Sequence, residues 1–481
     1  MIQTRLFSKF FVLTIVSSFT GLAAHASVDL ERFKLEGAHE KANVWPFAPL
    51  SDSLSPDEAY RRRNLVLQEF NVPAEIDSPD ISDLSSTQTQ SGAQALLPWI
   101  DPNQQVKRFF DLSTHMNGYL DRDAHSIEDF SLPLAQSPDA QKVVTSLESK
   151  LEQAARTNPK GQLLRGLKIA LDPGHMGGTT WDNLTGKYVH DQDGNRVSEG
   201  VINLQTALLV EQALIAQGAE VMITHRTLGA VTSLPLADLS LQDFGRKELL
   251  ARSLEDWFQS LLLNGSTGPE LGAAFKKDSH VKAIFAERAR DNYFILDADI
   301  DARVAAIEKF NPDITLIIHY DTDDPVNNPN GLNPKGVDKT KAYVYGGVEA
   351  VEFATRESRR YMTRHFLDPM AWNASARLSH LVSHQISNEL GLTLETESGE
   401  NVSTVEPGVI ARNLNLSRKL SSHAVTYVEC LYYNAPKEFQ AMRVTPHPME
   451  IGGESHPYSD RVAQVAGAIG RAVIGFVASY Q

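Results

Sequence analysis

From about Leu167 onward the chain alternates short apolar runs with stretches whose apolar residues recur at helical spacing. Leu167-Lys168-Ile169-Ala170-Leu171-Asp172 is an apolar run closed by Pro173 and Gly174, the pattern of a buried strand. Val201 to Gln217 has helical spacing and stops at Gly218. Ala219 to His225 predicts a strand, Ile300 to Phe310 a helix broken at Asn311-Pro312, and Ile314 to Ile318 a strand of β-branched and aliphatic residues. Lys341 to Tyr345 predicts a further strand, Arg377 to Leu390 a helix closed by Gly391, and Val425 to Leu431 a strand. Ser459-Asp460 then caps a long final helix, Arg461 to Ala478. This alternation predicts an α/β fold, a three-layer domain with a central, mostly parallel sheet. In such sheets functional groups gather at the carboxyl ends of the strands.

The rhythm is missing from residues 27–160, a smaller N-terminal region whose fold and role the pattern does not define. It opens on polar, proline-containing sequence (Trp45-Pro46, Ser55-Pro56), and Ser78 to Gly92 reads as a loop or linker. A helix is expected over Ala140 to Arg156, with Asp139 as cap and Asn158-Pro159 and Gly161 as its end. Residues 1–26 read as a secretory signal peptide. Arg5 and Lys9 give the positive start, Phe10 to Ala24 is mostly apolar, and Ala24-His25-Ala26 is a small-x-small cleavage site. The alternative is an uncleaved anchor, but the apolar stretch falls short of the ~20 residues of a span and is broken by Ser and Thr. No Cys follows the cleavage site, and no other apolar run is expected to reach spanning length. The expectation is an exported, periplasmic protein with no stable membrane anchor once the signal is removed.

Composition narrows the partners. The 481 residues are 42% hydrophobic and 22% charged, as in a globular protein of two to three domains or one enlarged α/β domain. With 45 Lys+Arg against 60 Asp+Glu, the net charge of −15 argues against sequence-independent nucleic-acid binding. It argues equally against tight binding to anionic lipid. A partly anionic polymer stays open as substrate, because a cleft can differ from the whole. The one cysteine, Cys430, allows no internal disulfide and reads as a small core residue.

Three residues stand where the strand-end rule wants chemistry. His175 follows the first strand in Asp172-Pro173-Gly174-His175-Met176-Gly177-Gly178, His319 ends the strand Ile314 to Ile318, and Glu199 precedes the helix near Val201. Two histidines and a carboxylate make an open zinc site, with one position left for water. Zinc there lowers the pKa of water and polarises a scissile carbonyl. Glu429 lies between Val428 and Cys430, where a carboxylate is costly without a partner or a task. The task would be to move a proton from water to a leaving amine. Each residue also has a plain reading: a hydrogen-bonded structural histidine, a helix-start charge at Glu199, a salt-bridge partner at Glu429. His190, His225, His384 and His423 are further candidates that composition does not rank.

Taken in order, these pieces resemble the zinc-dependent N-acetylmuramoyl-L-alanine amidases of the amidase-3 family. The Asp172 to Gly178 segment is similar to the family's first signature, and Glu199-Gly200-Val201-Ile202-Asn203-Leu204 to its helix start. Thr224-His225-Arg226, Arg303, Ile317-Ile318-His319 and Val428-Glu429 follow in the family's order, and the resemblance covers roughly Leu167 to Gln481. It implies a catalytic domain over 161–481, one Zn2+ per chain held by His175, Glu199 and His319, and Glu429 as general base and acid. The implied substrate is peptidoglycan, cut at the amide between N-acetylmuramic acid and L-alanine. Departures from the family pattern are Met176, expected to narrow its turn, a long Trp181 to Ser198 stretch with an Asp193-Gly194 hairpin signal, Asp321-Thr322, and Cys430 to Asn434. An insertion runs over about 228–293, and Leu249 to Leu263 within it has helical spacing. It could be a lid that a protein activator removes, or an ordinary packing extension. Two other readings stay open: another zinc peptidase, carboxypeptidase-like, with Arg226, Arg303 or Arg412 holding a terminal carboxylate, and a non-catalytic wall-binding protein.

Overall fold

The computed structural model describes residues 138–236, 290–291, 293–323, 330–346, 369–397, 402–421 and 423–481. The expected signal peptide, most of the N-terminal region and the Leu249 to Leu263 segment lie outside them. The elements run α1 (Pro138–Thr157), β1 (Lys168–Pro173), α2 (Thr179–Thr185), β2 (Tyr188–His190), β3 (Arg196–Ser198), α3 (Glu199–Ala216) and β4 (Glu220–Ile223). A π-helical turn (Tyr293–Ala298) leads into α4 (Asp299–Phe310), followed by β5 (Ile314–Asp321), β6 (Lys339–Val344), α5 (Pro369–Leu390) and β7 (Thr393–Leu394). Then come β8 (Val402–Glu406), β9 (Val409–Arg412), α6 (Asn415–Lys419), β10 (Ala424–Tyr432), α7 (Pro436–Arg443), β11 (Glu450–Ile451), β12 (Glu454–Ser455) and α8 (Asp460–Ala478).

The main sheet has the order β4-β1-β5-β10-β6-β9-β8, with β7 beside β6. Its first four strands are mutually parallel. β6 runs antiparallel to β10, β9 parallel to β6, and β8 forms the antiparallel edge. This is the mostly parallel sheet that the alternation of elements predicts. Strands covered on both faces carry continuous apolar runs, and here alternate residues serve alternate layers. Ile169, Leu171, Leu316, Ile318, Val428 and Cys430 pack on one side in a core shared with α3, α5 and α8. Ala170, Ile317, Val425 and Tyr427 pack on the other, against Val304 and Ile307 of α4 and Leu416 of α6. His319 and Glu429 have the parity of Ile317 and Tyr427, so both belong to the α4 side of the sheet.

Three details refine the sequence reading. α1 begins at Pro138, so Asp139 lies within its first turn and not at its cap. Leu147, Leu151, Ala154 and Ala155 of α1 join the larger core, and Lys150 Nζ reaches both oxygens of Asp313 at 2.8 and 2.7 Å. The helix thus packs on α5 and α8 and shares the core of the sheet domain, although the sequence pattern places it in the N-terminal region. α8, capped by Ser459 Oγ accepting from Val462 N at 3.2 Å, is long and apolar enough to cross a membrane, which corrects the expectation that no further run reaches that length. Of its most apolar 18-residue window 56% is buried, with Val465, Ile469, Val473 and Phe476 inside the core.

Candidate metal centre

β1 delivers the loop that carries His175. Gly174 N donates to Ile318 O at 2.8 Å, tying the loop to β5. A Cβ on Gly174 would fall 2.1 Å from Cε1 and Nε2 of His319, so only glycine lets this ring lie against the loop. His175 takes φ 57°, a left-handed conformation uncommon for a residue with a side chain. Arg303 of α4 holds it there: Nη1 donates to Pro173 O at 2.6 Å and Nη2 to His175 O at 3.5 Å. The same guanidinium meets Asp172 at 3.2 Å and Asp299 at 2.8 Å. Asn203 Nδ2 donates to Gly174 O at 2.7 Å. Cβ atoms on Gly177 and Gly200 would lie 2.6 Å from Val201 N and 2.3 Å from Met176 O. That close approach seats the loop on the start of α3, beside Glu199. Met176 is buried against Phe294, with Trp181 and Leu234 packed beside them, so its side chain fills an apolar cluster that the flank of the insertion completes.

The three predicted ligands come together. One ligand atom from each of His175, Glu199 and His319 lies within 4.8 Å of the others. His175 Nε2 is 3.4 Å and His319 Nδ1 3.1 Å from Glu199 Oε1. The two imidazoles meet edge to face at 4.6 Å between centroids, and His319 stacks on Tyr427 at 4.3 Å. Burial above all, then the charges of Lys187, His319 and Arg303, holds the His175 imidazole well below its usual pKa. It is therefore neutral, the form that donates a lone pair. Two imidazoles and a carboxylate, converging and buried, suit Zn2+.

Glu429 sits directly opposite His319 on the neighbouring strand, and Lys341 directly opposite Glu429 on the next. Glu429 Oε2 is buried without a hydrogen-bond partner among the described residues. Burial, then the charges of Asp321 and Glu199, push its carboxyl well above the ordinary range. A buried unpartnered oxygen beside a donor set able to hold a metal is what a group awaiting water or substrate looks like.

Lys341 anchors the adjoining wall, and sequence reasoning gave it no role. Its ammonium, 3% exposed as a residue, lies 2.9 Å from Asp321 Oδ2 and 3.1 Å from Glu395 Oε2. It also pairs with Glu397 and donates to Tyr432 Oη at 2.7 Å. Asp321, one of the departures from the family pattern, is thus a partner of the Lys341 ammonium. The spare histidines are accounted for elsewhere. His423 is buried with Nε2 2.8 Å from Thr315 Oγ1, and burial lowers its pKa to about 4. Burial lowers His225 to about 2. His190 is exposed at the end of β2, and His384 lies on α5. The Asp193-Gly194 signal is realised as the β2–β3 hairpin. Of the arginines, Arg226 pairs with Glu211, Arg303 with Asp172 and Asp299, and Arg412 lies over the Tyr343 ring at 5.6 Å.

Gly174→Ala is expected to push the His319 ring from its seat and weaken zinc binding by at least about tenfold, the cost of disturbing a ligand's support. Competition with a chromogenic chelator checks this, with circular dichroism confirming the fold. Unchanged affinity would mean that the ring can move without leaving the metal.

No family model matches the chain, and no curated protein matches it in sequence. Among solved structures it is similar to the N-acetylmuramyl-L-alanine amidase Ami1 from Mycobacterium smegmatis, at 16% identity over 66% of this chain and 99% of that one, with a TM-score of 0.36. It is also similar to the CwlD amidase from Clostridioides difficile, solved in complex with the GerS lipoprotein, at 13% identity over 65% and 100% of the two chains, with a TM-score of 0.34. A third is the N-acetylmuramoyl-L-alanine amidase AmiC2 of Nostoc punctiforme, at 14% identity over 64% and 96%, with a TM-score of 0.31.

Proposed function

We propose that the chain is a zinc-dependent N-acetylmuramoyl-L-alanine amidase, an exported, periplasmic hydrolase that releases stem peptides from peptidoglycan. The observation that carries this reading is the meeting of His175, Glu199 and His319 within 4.8 Å, from three separate elements, with Glu429 on the adjoining strand. The ordered motifs that resemble the amidase-3 family supply the substrate. His175 through Nε2, His319 through Nδ1 and a Glu199 oxygen would hold one Zn2+, the nitrogens being those that face Glu199. Bound there, the metal would supply Lewis acidity toward the scissile carbonyl and toward water. With the charge of a bound Zn2+ offsetting the burial that favours the protonated carboxyl, the Glu429 carboxylate would take a proton from the attacking water and give one to the leaving nitrogen of L-alanine. Arg303, Asp172 and Gly174 keep the two histidines in place. An activator acting on the 228–293 insertion belongs to the same proposal, because the described flank of that insertion packs on Met176, next to His175.

The test is metal content and peptidoglycan digestion on one purified preparation, beside His319→Ala. One zinc per chain and muropeptides lacking their stem peptide are expected from the parent, with both lost in the variant. Chelation should abolish digestion and zinc restore it. Release of amino acids from free peptides, with intact peptidoglycan untouched, would instead establish the carboxypeptidase-like reading.

A further inference from the structure

A second group of metal-capable side chains lies away from the centre described above. His380 and His384 stand one turn apart on α5, where i and i+4 residues share a face. Their ring centroids are 4.0 Å apart with planes tilted by 30°. Each ring has one nitrogen committed to an acceptor. His380 Nδ1 is 3.1 Å from Glu406 Oε1, and His384 Nε2 is 3.2 Å from Pro407 O. An acceptor fixes the proton on the nitrogen that faces it, so the lone pairs fall on His380 Nε2 and His384 Nδ1. A carboxylate behind one imidazole and a carbonyl behind the other is the supporting arrangement found behind metal-bound histidines.

The support is rigid. Glu406 ends β8, Pro407 follows it in the turn to β9, and Gly408 closes that turn at φ 83°. A Cβ on Gly408 would meet Leu394 Cδ2 at 2.6 Å and Ser383 Oγ at 3.0 Å, so the turn is pressed against α5 between the two histidines. Gly408 N donates to Glu395 O at 2.8 Å and Ala342 N to Gly408 O at 2.9 Å, which fix the turn to the sheet. The side chains of His380 and Glu406 are 39% and 40% exposed, so an ion can reach them from solvent. Burial, then the neighbouring His380, keeps the His384 imidazole below its usual pKa.

We propose that His380 and His384 form a second divalent-metal site on α5, ligated through His380 Nε2 and His384 Nδ1, with the β8–β9 hairpin supporting each ring through its other nitrogen. Imidazole donors select Zn2+, Ni2+ or Cu2+ over Mg2+ and Ca2+. An ion bound only by the folded chain stabilises it by mass action. The proposal does not depend on the catalytic reading.

Full-length wild type, His175→Ala, His380→Ala/His384→Ala and the triple variant are dialysed against the same free Zn2+, and bound metal is measured. The double variant is expected to hold one equivalent less than wild type, and the triple variant one less than His175→Ala. Zinc should raise the melting temperature of His175→Ala, and that rise should vanish in the triple variant. Glu406→Ala should weaken the second equivalent by about 10- to 100-fold. Equal metal content in wild type and the double variant overturns the proposal, whatever the first site does.

Discussion

Glu429→Gln is expected to lower peptidoglycan hydrolysis by about 10²- to 10⁴-fold, the usual contribution of a positioned acid–base group, with zinc content at the wild-type level. The substitution keeps the side chain's shape and removes only its capacity to accept and return a proton. The residue's place supports a large effect. It stands directly opposite His319 in the sheet, with one oxygen buried and unpartnered among the described residues. A structural carboxylate at that depth would be saturated with hydrogen bonds or paired with a cation. The nearest strong cation in the row, Lys341, is instead committed to Asp321, Glu395 and Glu397. Turnover at fixed peptidoglycan concentration, measured beside metal analysis of the same protein, separates loss of proton transfer from loss of the site. A Glu429→Gln protein with full zinc and wild-type turnover would remove Glu429 from the chemistry.

The sheet was legible because its strands are buried on both faces. Leu167 to Asp172, Ile314 to Ile318 and Val425 to Leu431 are apolar runs that no surface strand tolerates, and β1, β5 and β10 form at those places. The candidate metal ligands were legible because parallel strands end together, so His175 and His319 had to share one edge. Glu199 followed from the resemblance and from its place at the start of a helix. The Lys341 wall was not legible. β6 runs antiparallel to β10, which brings the middle of one strand beside the functional end of the other. Glu395 and Glu397 reach Lys341 from the segment after β7, about fifty residues along the chain, and no local pattern joins such distant charges. The Arg303 clamp was half visible. Its position matched a family feature, but its grip on the carbonyls of Pro173 and His175 depends on the left-handed backbone at His175.

Lys341→Met should be the most destabilising single change at the wall, by about 3–5 kcal/mol, the cost of removing one partner from a buried charge group. The methionine fills most of the volume, so the loss is electrostatic and not a cavity. Glu395 would keep Lys339 Nζ at 2.9 Å, but Asp321 would lose the ammonium 2.9 Å from its Oδ2, and Glu397 would be left with the hydroxyl of Tyr343, 3.3 Å away, and the more distant charge of Arg412. The excess negative charge would then sit beside Glu429 and repel it. Denaturant midpoints of wild type and variant measure the first effect. Adding Glu397→Gln to Lys341→Met should recover part of the loss, whereas Glu397→Gln alone should destabilise, the coupling expected of residues in one charge network. Additive effects of the two changes, or a Lys341→Met protein as stable as wild type, would show that the group contributes no more than an exposed pair. Lys341→Arg keeps the charge with a larger head in a closed space and should fall between wild type and the methionine variant.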